Sequence, residues 1–66
     1  MKITLNSTET VIPDHSTVDN LKNHIGISGM SCAVAVNGKI VAASSHENHI
    51  LKDGDDIIII GAAYGG

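Results

Sequence analysis

Met1, Ile3 and Leu5 alternate with Lys2, Thr4 and Asn6 at the start of the chain. This is the period of two expected of a strand with one buried face. Asn6-Ser7 supplies turn chemistry and residues 8–12 are rich in β-branched side chains, so the two runs are expected to pair as an antiparallel hairpin, ended by Pro13. The period then changes. Val18, Leu21 and Ile25 fall at i, i+3 and i+7, which makes one apolar stripe and turns Asp19, Asn20, Lys22 and Asn23 to water. Ser16 is the expected N-cap, with Asp19 completing an S-x-x-D capping box, and Gly26 fits the C-terminal cap. A helix this short is marginal alone, so it has to lie on a sheet that buries its stripe.

Residues 27–31 read as a connector in which Gly29 permits a bend, and Cys32 to Val36 as a third strand with small residues on one face. Asn37-Gly38 between two apolar runs is a strong hairpin signal, because a type I′ turn needs positive φ at both central positions. Lys39 to Ala42 follows as strand four, Ala43 to Asn48 as polar loop, His49 to Leu51 as a short extended or single-turn piece, and Lys52-Asp53-Gly54-Asp55 as a tight turn. Ile57 to Ile60 do not alternate, so a strand covered on both faces, and therefore central, is expected. The order ββαβββ predicts an α+β fold of β-grasp (ubiquitin-like) type, with one main helix on one face of a mixed five-stranded sheet; a generic two-layer α+β domain is the alternative. Residues 1–60 would form the domain and residues 61–66, Gly-Ala-Ala-Tyr-Gly-Gly, a flexible tail.

Length and composition narrow the function. A 66-residue chain forms one domain with a thin core and little room for an internal catalytic cleft. Tyr64 is its sole aromatic residue, so the core has to be aliphatic. Four lysines, no arginine and a formal charge of −3 argue against nucleic acid as partner, and a charged partner surface is expected to be basic. The single cysteine cannot close an internal disulfide and Met1 to Asn6 lacks a signal-peptide core, which points to the cytoplasm. No apolar run is long enough to span a bilayer.

Candidate chemistry within the domain is sparse. No phosphate-binding glycine loop and no G-x-S-x-G occurs, so neither a bound cofactor nor an activated serine is expected. His46 and His49 stand at i and i+3 around Glu47, but without third and fourth ligands they read as solvated loop histidines rather than a metal site. Cys32 opens an apolar strand and reads as a small buried hydrophobe. Asp53, Asp55 and Asp56 lack the spaced oxygen ligands of a calcium loop and read as a solvated turn. The tail is the remaining candidate. Gly65 and Gly66 leave no Cβ beside a terminal carboxylate, and six extended residues reach roughly 20 Å, far enough to enter a partner's active site. Tyr64 would either tack the tail to the sheet or fill a partner pocket.

Asn37-Gly38-Lys39-Ile40-Val41, Leu51-Lys52-Asp53-Gly54-Asp55-Asp56-Ile57 and the final Gly65-Gly66 together resemble the ThiS-type sulfur carriers of thiamine biosynthesis, over essentially the whole chain. The resemblance implies that Gly66 is the modified residue: its carboxylate is adenylated by a ubiquitin-activating-type (ThiF-like) enzyme and converted to a thiocarboxylate. The sulfur, supplied through a cysteine desulfurase, would pass to thiazole at a ThiG-like thiazole synthase. Ala62, Ala63, Tyr64 and Gly65 would be read by the partners, and the chain itself would not be an enzyme. Tyr64 is bulkier than the small residue often found beside the Gly-Gly of such carriers. The small subunit of a molybdopterin synthase, a ubiquitin-like modifier and a plain β-grasp binding module remain as alternatives. Positions around Ala42 and Ala62 are candidates for partner contact.

Overall fold

The computed structural model describes residues 1–27 and 31–61. The expected alternation is realised in β1 (Lys2–Leu5), where Ile3 and Leu5 are buried; β1 pairs antiparallel with β2 (Thr8–Val11), as expected of the hairpin, with Leu5 opposite Thr8. Asn6 and Ser7 turn the chain with φ of 46° and 69°. After Pro13 the chain enters helix α1 (Val18–His24), then β3 (Cys32–Val36), β4 (Lys39–Val41), a single 3₁₀ turn at Ala43–Ser45, and β5 (Asp56–Gly61). The sheet order is β2-β1-β5-β3-β4, with β1 and β5 parallel and the other neighbours antiparallel. This is the expected mixed five-stranded sheet with one helix, and the isoleucine strand lies at its centre.

Only half of that strand is covered. Ile57 and Ile59 are 0% and 2% exposed, whereas Ile60 is 64% exposed and Ile58 half-buried. The helix lies on one face and leaves the other open, so the unbroken isoleucine run does not mean burial on both sides. The core is aliphatic as composition requires: Ile3, Leu5, Val34, Val36, Ile57 and Ile59 from the sheet meet Val18 and Leu21 of α1, with Ile12, Ile27, Val41 and Leu51 around them.

The helix begins one residue later than Ser16 suggests. Thr17 is the N-cap and Asn20, not Asp19, completes the capping box: the Asn20 amide donates to Thr17 Oγ1 at 3.1 Å and the Thr17 amide donates to Asn20 Oδ1 at 3.0 Å. Ser16 is committed elsewhere. Its hydroxyl donates to the Pro13 carbonyl at 2.6 Å, and its own carbonyl accepts from the Leu51 amide at 2.8 Å. The next free amides of α1, on Val18 and Asp19, donate to the carbonyls of His49 (3.0 Å) and His46 (2.9 Å), so the segment after β4 satisfies the helix start. Within it, residues 43–45 form a 3₁₀ turn rather than open loop, and Ile50 bridges to Thr17. Asn37 and Gly38 have φ of 52° and 83°, the positive pair that a type I′ turn needs. The bend expected at Gly29 and the tail residues 62–66 lie outside the described residues.

Candidate functional site

The site begins where β5 delivers the chain to its last residues. Gly61 is the final residue of β5 and pairs with Cys32 at the start of β3. A Cβ at Gly61 would stand 2.6 Å from Cys32 Cβ, 3.2 Å from Cys32 Cα and 3.3 Å from the Ser31 carbonyl oxygen. Glycine is required here by close approach to the neighbouring strand. Sequence reading placed Gly61 at the start of the tail and missed this packing, since the contact joins positions 29 residues apart. The available signal was a glycine ending a strand of isoleucines.

Two asparagines hold β5 against its neighbours. Asn6 Nδ2 donates to the Ile59 carbonyl at 3.1 Å, and the Ile59 amide donates to Asn6 Oδ1 at 2.8 Å, so a side-chain amide continues the β1–β5 ladder beyond Leu5. At the other end of the strand, the Asp56 amide donates to Asn37 Oδ1 at 2.9 Å and the Asn37 amide to the Asp56 carbonyl at 2.8 Å. Asn37 Nδ2 also donates to Asp55 Oδ1 at 3.0 Å. Asparagine suits both turns because it tolerates positive φ and still carries a donor and an acceptor.

The aspartates of the turn are therefore not all solvated. Asp55 is buried, with one carboxylate oxygen accepting from Asn37 and the other from the Lys52 amide at 2.8 Å. Asp53 accepts from the Lys2 amide at 2.8 Å, which ties the turn to β1, and Asp56 is exposed.

The histidine pair also departs from expectation. His46 is 3% exposed: its Nε2 lies 3.1 Å from the Val41 carbonyl and its Nδ1 3.3 Å from Lys22 Nζ, which is itself buried instead of facing water. A carbonyl only accepts and an ammonium only donates, so the proton sits on Nε2 and Nδ1 accepts. His46 thus joins β4 to α1. His49 is half-buried and joins no metal-ligating cluster; among the described residues no group of three His, Cys, Asp or Glu side chains is placed to hold a metal. Cys32 is half-buried and packs against the core. At the far end of the domain, the N-terminal ammonium donates to Asp14 at 2.9 Å and, by that hydrogen bond and its charge, holds this exposed carboxyl below its ordinary value.

On the open face, Ala33 and Ala35 of β3 stand opposite Ile60 and Ile58 of β5, and Ile40 of β4 stands opposite Ala35. This small-residue and aliphatic surface runs along the strand that leads to the tail. The expected site residues Ala62, Ala63, Tyr64, Gly65 and Gly66 lie outside the described residues. Ala42, the other expected contact position, is exposed at the end of β4. No helix among the described residues is long and apolar enough to cross a membrane.

Comparison with known proteins gives one family and one fold. The sequence model of the ThiS family matches residues 1–66. Among solved structures, the thiamine biosynthesis protein ThiS from Geobacter metallireducens superposes with a TM-score of 0.84 at 20% identity, with 100% of each chain covered. No functionally curated protein matches the sequence.

Proposed function

Because the chain belongs to the ThiS family, we propose that it is a sulfur carrier of thiamine biosynthesis and that Gly66 is the residue that carries the sulfur. The observation that carries this reading is the family match across residues 1–66, which takes in the final Gly65-Gly66. The central position of β5 is consistent with it, since a strand held on both sides gives the tail a fixed root.

The chemistry follows from the carboxylate. An α-carboxyl has a pKa of about 3.3–3.7, so Gly66 is ionised at neutral pH, able to attack phosphorus but a poor acyl electrophile. One carboxylate oxygen attacks the α-phosphorus of ATP, forming the acyl adenylate and releasing pyrophosphate. A sulfur nucleophile delivered by the donor system, ultimately fed by a cysteine desulfurase, then attacks the acyl carbon. AMP leaves with the electron pair of the broken C–O bond. With a donor persulfide as nucleophile the product is an acyl disulfide, and a thiol then attacks its donor-side sulfur, forming a disulfide with the donor and releasing the chain as the thiocarboxylate with the S–S electron pair. Glycine at positions 65 and 66 keeps both approaches to the carbonyl free of side chains. The groups that catalyse these steps belong to a ThiF-like adenylating enzyme and a ThiG-like thiazole synthase, and this chain is their substrate rather than an enzyme. Ala62, Ala63, Tyr64 and Gly65 are the positions these partners read as the tail enters them.

The test is the intact mass of the chain after incubation with an adenylating enzyme, ATP and a sulfur donor. Exchange of one oxygen for sulfur, localised to Gly66 by fragmentation, is the expected result. A variant with one residue added after Gly66 should show no exchange; equal modification of that variant would overturn the assignment.

A further inference from the structure

A groove of about 700 Å³ runs along the free edge of β4, between that strand and the segment that returns to β5. Its lips carry Ile40 (71% exposed) on one side and Ile50 (56% exposed) on the other, and Lys39 and Lys52 also line it. Among the described residues the strand is unpaired on this side: β4 is the last in the sheet order. Lys39 pairs with Val36 across the two-residue turn, so the alternation of an antiparallel ladder directs the Ile40 amide and carbonyl away from β3 and into the groove.

The charge of the groove is the second observation. The protein has a net charge of −3 and four lysines. Lys22 is buried on His46 and Lys2 lies 3.9 Å from Glu9. The other two, Lys39 and Lys52, are both exposed, both line this groove and form no ion pair among the described residues. The acidic residue of the groove, Asp55, already accepts from Asn37 and from the Lys52 amide. A lysine on an edge strand is common as protection against stray pairing, but Lys52 comes from a separate turn and adds a second positive charge beside two exposed isoleucines. At the opposite edge, β2, Glu9 already lies beside Lys2.

We infer that the β4 edge is a docking site for an extended partner segment with aliphatic side chains flanked by carboxylates, which adds to the sheet as a sixth strand. Its backbone pairs with Ile40, its aliphatic side chains rest on Ile40 and Ile50, and its carboxylates meet Lys39 and Lys52. The described residues that line this site, between Val36 and Asp55, include none of the last residues of β5, so a partner segment could hold the domain here while Gly66 serves its own chemistry.

The experiment is an amide-resolved NMR titration of the full chain with the capped peptide Asp-Val-Ile-Val-Glu, and with Lys-Val-Ile-Val-Lys as control. The acidic peptide should shift amides of residues 39–42 and 49–52, slow hydrogen exchange at Ile40, and bind more weakly as salt rises. The basic peptide should not bind. K39E/K52E, on two exposed positions, should keep the spectrum of a folded chain and weaken binding roughly tenfold or more. Equal binding of both peptides, shifts confined to the open face around Ala33, Ile58 and Ile60, or no binding at millimolar peptide would overturn the proposal. So would concentration-dependent shifts of the same amides without peptide, which would give the groove to a second copy of the chain. None of these results bears on sulfur exchange at Gly66, so failure here and failure of the carrier reading are distinguishable.

Discussion

Gly61 and His46 show how much single side chains decide in a domain with so thin a core. At Gly61 a methyl group would overlap Cys32 Cβ at 2.6 Å, so Gly61→Ala has to push the start of β3 away from β5. Overpacking of this kind costs about 1–3 kcal/mol, and thermal or denaturant unfolding should show a loss in that range, with amide shifts concentrated around Cys32. Unchanged stability would mean that the two strands give way freely. His46 and Lys22 make the complementary case. His46→Ala removes the Lys22 acceptor while the ammonium stays buried, and should cost upward of about 2 kcal/mol, since a buried charged group left unpaired costs more than a neutral one. Lys22→Met keeps the aliphatic stem and removes the charge, so it should cost clearly less. Denaturant midpoints of the two variants check the order; a larger loss for Lys22→Met would show that the ammonium is a net stabiliser.

The elements were legible in proportion to how locally they are specified. Alternation at Met1 to Leu5 and the Asn37-Gly38 turn follow from neighbouring residues, and the structure has them. The isoleucine strand is central as expected, but the burial on both faces from which that was read is absent, since Ile60 is exposed. The helix cap was legible only to within one residue, because Ser16 and Thr17 are both competent caps and the Pro13 carbonyl, met only in the folded chain, claims the Ser16 hydroxyl. Four identical isoleucines conceal an alternation that the one-sided helix imposes. The burial of His46 depends on Val41 and on Lys22, which is 24 positions away, and nothing in the run His-Glu-Asn-His announces it. Asn6 belongs to the same class: as a turn residue it was evident, as a clamp on Ile59 it was not. Asn6→Ala should leave the hairpin in place yet cost about 1–3 kcal/mol, because the Ile59 amide and carbonyl lose their partners on that side. Faster hydrogen exchange at Ile59 is the accompanying signature, and unchanged exchange there would remove the clamp from the account.

At the scale of the molecule, the domain is a frame that fixes one strand and passes that position on to its end. If Gly66 is the reacting residue, the distance from Gly61 to the carboxylate matters as much as the chemistry there. One glycine inserted between Gly61 and Ala62 should leave the unfolding temperature unchanged, because the described domain is untouched. Sulfur exchange measured by intact mass should nevertheless slow, because an extended residue adds about 3.3 Å, comparable with the 3–3.5 Å at which reacting atoms must be held. Equal rates would show that the partners accept tails of different length. The two asparagines acquire a further meaning in this light. By gripping Ile59 from one side and Asp56 from the other, they prevent β5 from sliding along its own axis, and a slide of one residue would both turn its side chains to the wrong face and move Gly61, the last residue of the strand. Asn6 and Asn37 work as the stops of a gauge: the same hydrogen bonds that complete the sheet calibrate where Gly61 stands.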